Sequence, residues 1–192
     1  MRSRFTIAFL ISDIPMQAIN PLHVAHPLAE SPPSSDDYRA ALRAMVGQVS
    51  VITLQKPNGD WGGLTLTSAN VLATQPPMMI ACINRAASAH DGLRVGTVLG
   101  WQVLGADQAH VANAFSGKDG RSGAARFDGA EWRISHGARL LTGAALACAA
   151  VIETLTDHAT HTVVTARILA LHRQTSAAGT LAYRDGAYLP LR

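Results

Sequence analysis

The alternation of apolar and polar residues predicts a chain built mostly of β-strands. Short β-branched or apolar runs bounded by turn residues recur from Val49 to the C-terminus, which is typical of strands. The predicted strands are Val49–Lys56, Trp61–Thr67, Met78–Ile83, Thr97–Leu104, Ala144–Thr154, Thr160–His172, Gly179–Tyr183 and Gly186–Leu191. Pro57-Asn58-Gly59-Asp60 is a turn, and Pro76-Pro77 marks a strand entry because proline is excluded from central strands.

Helical periodicity predicts three helices at the periphery. The first is capped within residues 34–37 and runs through Val46, with Gly47 ending it. Its apolar face would carry Tyr38, Leu42, Met45 and Val46. A short helix is predicted within Ala86–Val95, and a third runs from a cap at Asp107 to about Phe115. Residues 117–130 form a Gly-rich polar loop, and Gly137–Gly143 is a predicted turn.

Two regions of different character divide the chain. Residues 1–35 are predicted to be an N-terminal extension or arm, with disorder left open, because four prolines lie between Pro21 and Ser35. The first eleven residues resemble a signal peptide weakly, but Ser12-Asp13-Ile14-Pro15 interrupts the apolar run early. Met16 is an alternative start. Residues 36–192 are predicted to form one domain.

Composition excludes several classes of protein. Hydrophobic residues make up 48% and charged residues 15% of the 192 positions, so the chain is too apolar to be disordered. A net charge of +3 is too small to argue for nucleic acid. The apolar runs are shorter than the roughly 20 residues of a membrane helix. Cys82 and Cys148 lie in apolar runs, which favours free thiols in a reducing compartment, the cytoplasm.

No metal site or nucleophilic centre is visible in the sequence. The eight histidines are scattered. His158 and His161 are close, but in one continuous strand they would face opposite sides. There is no Gly-x-Ser-x-Gly elbow, Walker loop or GxGxxG fingerprint. We therefore expect no metal, and any nicotinamide cofactor would bind without a Rossmann domain.

Gly62–Ser88 is the one stretch with concentrated chemistry. It holds a hydroxyl-rich run, Thr65-Leu66-Thr67-Ser68-Ala69-Asn70, then Pro76-Pro77 and an apolar strand, and then the polar turn Asn84-Arg85-Ala86-Ala87-Ser88. Two strand ends that carry small hydroxyl and amide groups can converge on one anion. Backbone N–H groups and one arginine would then bind phosphate.

These motifs, in this order and spacing, resemble the flavin reductase family with the FMN-binding split-barrel fold. The matching residues are Gly63-Leu64, Thr65-Leu66-Thr67-Ser68, Pro76-Pro77 and Cys82-Ile83-Asn84-Arg85-Ala86-Ala87-Ser88. Phe115-Ser116-Gly117, Arg126-Phe127, Trp132 and the terminal segment around Tyr183 also match. The resemblance spans roughly residues 38 to 191. It is greatest to the reductase component of 4-hydroxyphenylacetate 3-monooxygenase.

The resemblance implies a flavin site. Side chains of Thr67, Ser68, Arg85 and Ser88 would bind the phosphate. Backbone groups of Thr65, Leu66 and Ala69, and of Asn84 and Ala86, would bind the isoalloxazine edge. Phe115, Ser116 and Tyr183 would complete the pocket. His161 matches the histidine of the family's Gly-Asp-His-Thr segment and would contact flavin or nicotinamide, although Ala159 and Thr160 replace the Gly and Asp.

By resemblance, the protein is an NAD(P)H:flavin oxidoreductase that uses FMN, or else FAD. It would act as a homodimer and supply reduced flavin by diffusion to a separate oxygenase. No nucleic-acid or membrane partner is expected. A non-catalytic flavin-binding module, or a reductase acting on another cofactor such as a corrinoid, remains an alternative. The pyridoxamine-phosphate-oxidase-like branch is disfavoured by the Pro76-Pro77 strand and the Asn84–Ser88 turn.

Overall fold

The computed structural model describes residues 31–173 and 179–192, and these residues form mostly β-strands, as predicted. The strands are β1 (Gly47–Gln48), β2 (Ser50–Gln55), β3 (Trp61–Leu66), β4 (Ala69–Thr74), β5 (Pro77–Asn84), β6 (Val98–Val103), β7 (Trp132–Ser135), β8 (Ala138–Leu141), β9 (Leu146–His158), β10 (His161–Arg173), β11 (Thr180–Arg184) and β12 (Ala187–Leu191). The helices are α1 (Ser35–Leu42) and α2 (Ala109–Ser116). Most of the predicted extension, residues 1–30, lies outside the described residues.

One large antiparallel sheet organises these strands. Its order is β3-β2-β6-β9-β10-β5-β4. A three-stranded sheet, β1-β11-β12, and the β7-β8 hairpin lie beside it. Strands β9 and β10 are long, and both extend past the predicted strand boundaries.

The two edge strands of the large sheet are consecutive in the chain. β3 ends at Leu66 and β4 begins at Ala69, so just Thr67 and Ser68 connect the edges. The Ser68 hydroxyl donates to the Cys82 carbonyl at 2.7 Å, and the Cys82 N–H donates to the Ser68 carbonyl at 3.3 Å. The sheet therefore curls into a barrel. Because β3 is an edge strand paired with β2, the side of β3 away from β2 is left open.

Alternate residues of the strands fill the inside of the barrel. In β5, Met79, Ala81 and Ile83 are buried, while their neighbours face outward. Large apolar residues of the other strands meet them there. They include Ile52, Leu54, Leu99, Trp101 and Ile152. Burial of each such side chain contributes about 1.5–3 kcal/mol, so this interior is the main source of stability for the strands that carry the site.

A second apolar cluster lies outside the barrel, under α2. Phe115 is 2% exposed and packs on Phe127 and Trp132, with ring centroids 4.9 and 5.5 Å away. A Cβ on Gly63 would lie 2.6 Å from a Phe115 ring carbon. The glycine at Gly63 therefore permits close packing of α2 on β3, and the pairing of β2 with β3 contains no bulge.

Helix α1 is shorter than predicted. Ser34 caps it by accepting a hydrogen bond from the Asp37 N–H, but the helix ends at Leu42, since Gly47 and Gln48 pair with β11. The prediction that an apolar face runs through Val46 is wrong. The apolar side chains of this segment are exposed instead. They are Tyr38, Leu42, Met45 and Val46.

Three further predictions differ from the structure. The predicted helix within Ala86–Val95 is a single 3₁₀ turn at His90–Gly92. The predicted turn Gly137–Gly143 contains strand β8, whose Ala138 and Leu140 are fully buried. Asp107 does not cap α2, because the helix begins after Gln108 and lacks a side-chain cap bond.

Strand β4 was missing from the predicted set of strands. Its residues at positions 70, 71 and 72 are all exposed, so the apolar and polar positions do not alternate. This is because β4 is an edge strand, paired with β5 along one side.

Candidate functional site

The open side of β3 forms one wall of a cleft. The Gly63 carbonyl accepts a hydrogen bond from Arg126 Nη1 at 3.1 Å, so this carbonyl points away from β2. In an antiparallel ladder, residues two apart direct their backbone groups to the same side. The N–H and C=O of Thr65 therefore also face the cleft, while its hydroxyl donates to the Ala112 carbonyl at 2.8 Å. Strand β3 thus presents backbone N–H and C=O groups to the cleft that no other strand of the described residues uses.

At one end of the cleft lies the connection between β3 and β4. Thr67 and Ser68 are exposed there, and together with Tyr183 they line a cavity of about 610 Å³ under helix α1. Gln48 Nε2 fixes the Ala69 carbonyl at 2.8 Å. This volume falls within the range of small-molecule pockets. The predicted residues Thr67, Ser68 and Tyr183 are therefore brought together.

The turn after β5 lies beside this connection. Asn84 is two residues beyond Cys82, the partner of Ser68, so the two predicted strand ends lie about 7 Å apart along β5. Asn84 Oδ1 accepts from the Ala86 N–H at 2.9 Å, which fixes the turn. The structure therefore brings Ser68 and Asn84 close together along β5.

Arg85 is tied to the tip of the β9-β10 hairpin. Its backbone N–H donates to the Thr160 carbonyl at 2.9 Å, and its side-chain Nη1 donates to the Ala159 carbonyl at 3.5 Å. Its Nε lies 3.9 Å from Asp157 Oδ2. The guanidinium is thus directed toward the hairpin tip.

At the other end of the cleft, Ser88 lines a smaller cavity of about 280 Å³. Arg126 Nη1 lies 3.4 Å from Ser88 Oγ, and Lys56 and the two glycines of β3 also line this space. The sequence motifs that match the family include Arg126-Phe127, yet neither Arg126 nor Lys56 was predicted as a site residue. The matching Arg-Phe pair was the signal that pointed to Arg126.

His161 begins β10 at the edge of the cleft, half-buried and paired across the sheet with Asn84. Its Nδ1 lies 2.9 Å from Thr160 Oγ1. His161 is also paired with His158 on β9. Residues directly opposite in an antiparallel pair share a face, so the prediction that the two histidines face opposite sides is wrong. The reason is that a hairpin turn separates them.

A series of side-chain hydrogen bonds connects His90, Thr162 and Asp157 next to His161. Thr162 Oγ1 donates to Asp157 Oδ1 at 2.6 Å and lies 2.8 Å from His90 Nε2. Since the single hydroxyl proton goes to Asp157, His90 is the donor to Thr162. The hydrogen bond from Thr162, with the charges of Arg85 and His90, lowers the pKa of Asp157 below its usual value. These hydrogen bonds join the tip of the β9-β10 hairpin to His90, in the segment after Ser88.

Four predicted site residues have side chains directed elsewhere. Phe115 lies in the aromatic cluster, so the structure assigns it to the core and not to a pocket wall. Leu66 and Ala69 are buried in the barrel, and just their backbone groups can reach a ligand. Ser116 is exposed at the end of α2, where its hydroxyl donates to the Asn113 carbonyl at 3.1 Å.

Across residues 31–173 and 179–192, no cluster of three or more His, Cys, Asp or Glu side chains is placed to bind a metal ion. In the same part of the chain, no helix has the length and apolar character needed to cross a membrane. Both cysteines are free thiols, and burial raises the pKa of Cys148 to about 11. The chemistry of the cleft therefore comes from backbone groups, hydroxyls, amides, histidine and arginine.

Comparison with known proteins agrees with this geometry. Residues 42–192 match the family model described as the flavin reductase like domain. The chain is 31% identical over 168 residues to the FMN reductase (NADH) RutF of Pantoea ananatis, with 86% of each protein covered.

Solved structures share the fold. The NADH:FAD oxidoreductase SgcE6 of Streptomyces globisporus superposes with a TM-score of 0.73 at 23% identity, covering 85% of this chain and 98% of that one. BorF, the flavin reductase component of a bacterial two-component tryptophan halogenase, gives a TM-score of 0.72 at 26% identity, covering 82% and 98%. The predicted split-barrel fold is confirmed.

Proposed function

The chain belongs to the flavin reductase family, and on this premise we propose that it is an NADH-dependent FMN reductase. RutF of Pantoea ananatis carries that activity in its name, and it is similar to this chain over most of the length of both proteins. The reaction transfers a hydride from the nicotinamide to the flavin. FAD is the alternative flavin, in keeping with the NADH:FAD oxidoreductase SgcE6.

The open edge of β3 is the observation that carries the proposal. A flavin has a ring edge that needs both hydrogen-bond donors and acceptors, and a phosphate that needs donors or positive charge. The backbone N–H and C=O of Thr65, which face away from β2, suit the first need. The hydroxyl of Ser88 and the guanidinium of Arg126 suit the second. The donor set of the cleft therefore fits FMN.

The residues of the chain orient the reactants and exclude water. Bound FMN supplies the hydride-accepting chemistry, and hydride transfer itself requires no strong general base. The predicted site residues include no carboxylate, which agrees with this. His161 is half-buried and is paired across the sheet with Asn84, which supports a contact with the nicotinamide. We propose it as the catalytic residue, with a role in holding the donor near the flavin.

The proposal extends to partners and setting. BorF is the reductase of a two-component system, and by analogy we propose that this chain passes reduced flavin to a separate flavin-dependent oxygenase. We also propose a homodimer. The apolar side chains Val71 and Leu72 of edge strand β4 are 61% and 46% exposed, and a second subunit would bury them. The free thiols Cys82 and Cys148 support a cytoplasmic setting.

A turnover assay tests the proposed activity. Purified protein is mixed with NADH or NADPH and with FMN, FAD or riboflavin, and loss of nicotinamide absorbance is followed. We expect oxidation of NADH that depends on added or bound flavin. Flavin binding without oxidation of either nucleotide would support the non-catalytic flavin-binding module. An absence of flavin binding would reject both.

A further inference from the structure

His161 lies at the tip of the β9-β10 hairpin, and this tip receives little support from packing. His158 and His161 are the last pair across the two strands, so Ala159 and Thr160 alone form the connection. His158, Ala159 and Thr160 are all exposed. Because exposed side chains contribute little packing, hydrogen bonds determine where the tip lies.

Asp157 is the acceptor at the centre of these hydrogen bonds. It is paired across the hairpin with Thr162, directly next to the pair of His158 and His161. Asp157 Oδ1 accepts from Thr162 Oγ1 at 2.6 Å, and Asp157 Oδ2 lies 3.9 Å from Arg85 Nε. The carboxylate therefore connects both strands of the hairpin to the turn after β5.

Thr162 gives the hairpin a buried anchor. Just 3% of Thr162 is exposed, and its Oγ1 lies 2.8 Å from His90 Nε2. An ionised carboxylate accepts hydrogen bonds and donates none, so Thr162 donates to Asp157 and accepts from His90. Buried hydroxyls are nearly always hydrogen-bonded. The two partners of Thr162 therefore favour one position for the end of the hairpin.

The position of His161 depends on this anchor. His161 directly precedes Thr162 in β10, and neighbouring side chains of a strand point to opposite faces. A shift of Thr162 therefore moves the backbone that carries the imidazole. His161 Nδ1 lies 2.9 Å from Oγ1 of Thr160, which belongs to the exposed turn and gives little support.

We propose that Asp157, Thr162 and His90 are positioning residues for hydride transfer, and that they act by holding His161 at the cleft. This inference rests on the proposed function. It goes beyond that function by giving a role to three residues whose polar groups are bonded to one another. They orient the hairpin and need no contact with the nicotinamide.

The test compares Thr162→Val with Thr165→Val as a matched pair. Thr165 Oγ1 lies 2.7 Å from Oγ1 of Thr154, its partner on the other strand of the same hairpin. Each substitution removes one cross-strand hydrogen bond, but that of Thr165 lies farther from the tip. Protein loaded with FMN is mixed with NADH without oxygen, and the rate of FMN reduction is measured by stopped flow. The FMN dissociation constant is measured by fluorescence quenching.

Thr162→Val should slow hydride transfer about tenfold or more, because a misplacement of roughly 1 Å is enough to cost about a hundredfold. Its FMN dissociation constant should stay close to that of the unaltered protein. Asp157→Ala should have the same effect, whereas Thr165→Val should keep the rate within about twofold. Thr162→Ser retains the hydroxyl and should retain most of the rate.

A double-mutant cycle shows whether the effect passes through His161. In a His161→Ala background, Thr162→Val should cause no further loss of rate, since the residue that it positions is gone. The inference is overturned by an unchanged rate in Thr162→Val and Asp157→Ala, by an equal loss in Thr165→Val, or by a further loss in the His161→Ala background.

Two other results separate this inference from its neighbours. FMN binding that weakens in proportion to the lost rate would overturn it, because that indicates a general defect of the fold. If the unaltered protein does not reduce FMN, the proposed function is rejected and the inference falls with it. FMN reduction that survives Thr162→Val and Asp157→Ala rejects the inference alone.

Discussion

Gly63 and Gly62 are neighbours on β3, and the structure predicts that a methyl group added at Gly63 destabilises the protein much more than one added at Gly62. A Cβ on Gly63 would lie 2.6 and 2.7 Å from two Phe115 ring carbons and 2.7 Å from the Ile52 carbonyl oxygen. Carbon atoms normally approach to about 3.5–4.0 Å. The ring would have to retreat by about 1 Å, but Phe127 and Trp132 pack behind it.

Overpacking of this kind costs about 1–3 kcal/mol, so we expect Gly63→Ala to lower the free energy of unfolding by about 2 kcal/mol. Gly62 is the matched control. A Cβ there meets the mobile Cε of Lys56 at 2.9 Å, which can rotate away, and Ala89 Cβ at an ordinary 3.6 Å. Gly62→Ala should stay within about 0.5 kcal/mol of the unaltered protein.

Denaturant unfolding, followed by tryptophan fluorescence, measures both values. In a Phe115→Leu background, the additional cost of Gly63→Ala should fall by about 1 kcal/mol, because the ring that it strikes is gone. Equal losses of stability for Gly62→Ala and Gly63→Ala, or no coupling with Phe115, would refute the packing argument.

Four further changes probe the site. Ser88→Asp should weaken FMN binding at least about tenfold by repulsion of the phosphate, measured by titration calorimetry, and unchanged affinity would show that the phosphate lies elsewhere. His161→Ala should lower the rate of hydride transfer more than flavin affinity, and a stopped-flow rate equal to that of the unaltered protein would remove this residue from the mechanism. Ala159 has φ of 48°, so Ala159→Gly should stabilise the protein by about 1 kcal/mol in denaturant unfolding, and a loss of stability would contradict that. The lowered pKa of Asp157 contributes stability at neutral pH that is lost as pH falls through that pKa. Thr162→Val removes the hydrogen bond that is the largest cause of the shift, so the pKa of Asp157, followed by NMR, should rise. An unchanged pKa would show that Thr162 does not cause the shift.

The barrel strands could be predicted because their interiors impose a pattern on the sequence. Val49–Lys56 and Met78–Ile83 carry β-branched or apolar runs since at least one face is buried. Strand β4 could not be found in this way, because an edge strand with exposed residues at 70, 71 and 72 leaves no alternation. Strand β8 was missed for a different reason: Ala138 and Leu140 are buried, but the segment is short and lies between glycines that favour a turn.

The proximity of two polar segments was predictable from local sequence. The segments Thr65–Ala69 and Asn84–Ser88 are each defined by their own residues, and Ser68 meets Cys82 as expected for adjoining strand ends. The relation between His158 and His161 depends on where a hairpin turns. The packing of Phe115 and the position of Arg126 depend on contacts with residues distant in sequence, which spacing alone does not specify.

Anaerobic mixing of the protein with NADH and oxidised FMN measures the proposed hydride transfer itself. We expect the absorbance of oxidised FMN and that of NADH to be lost together, one flavin reduced for each NADH oxidised, and neither loss to occur without the protein. If the protein binds FMN but the two absorbances remain constant, the cleft along β3 is a flavin-binding site and not the active site of a reductase.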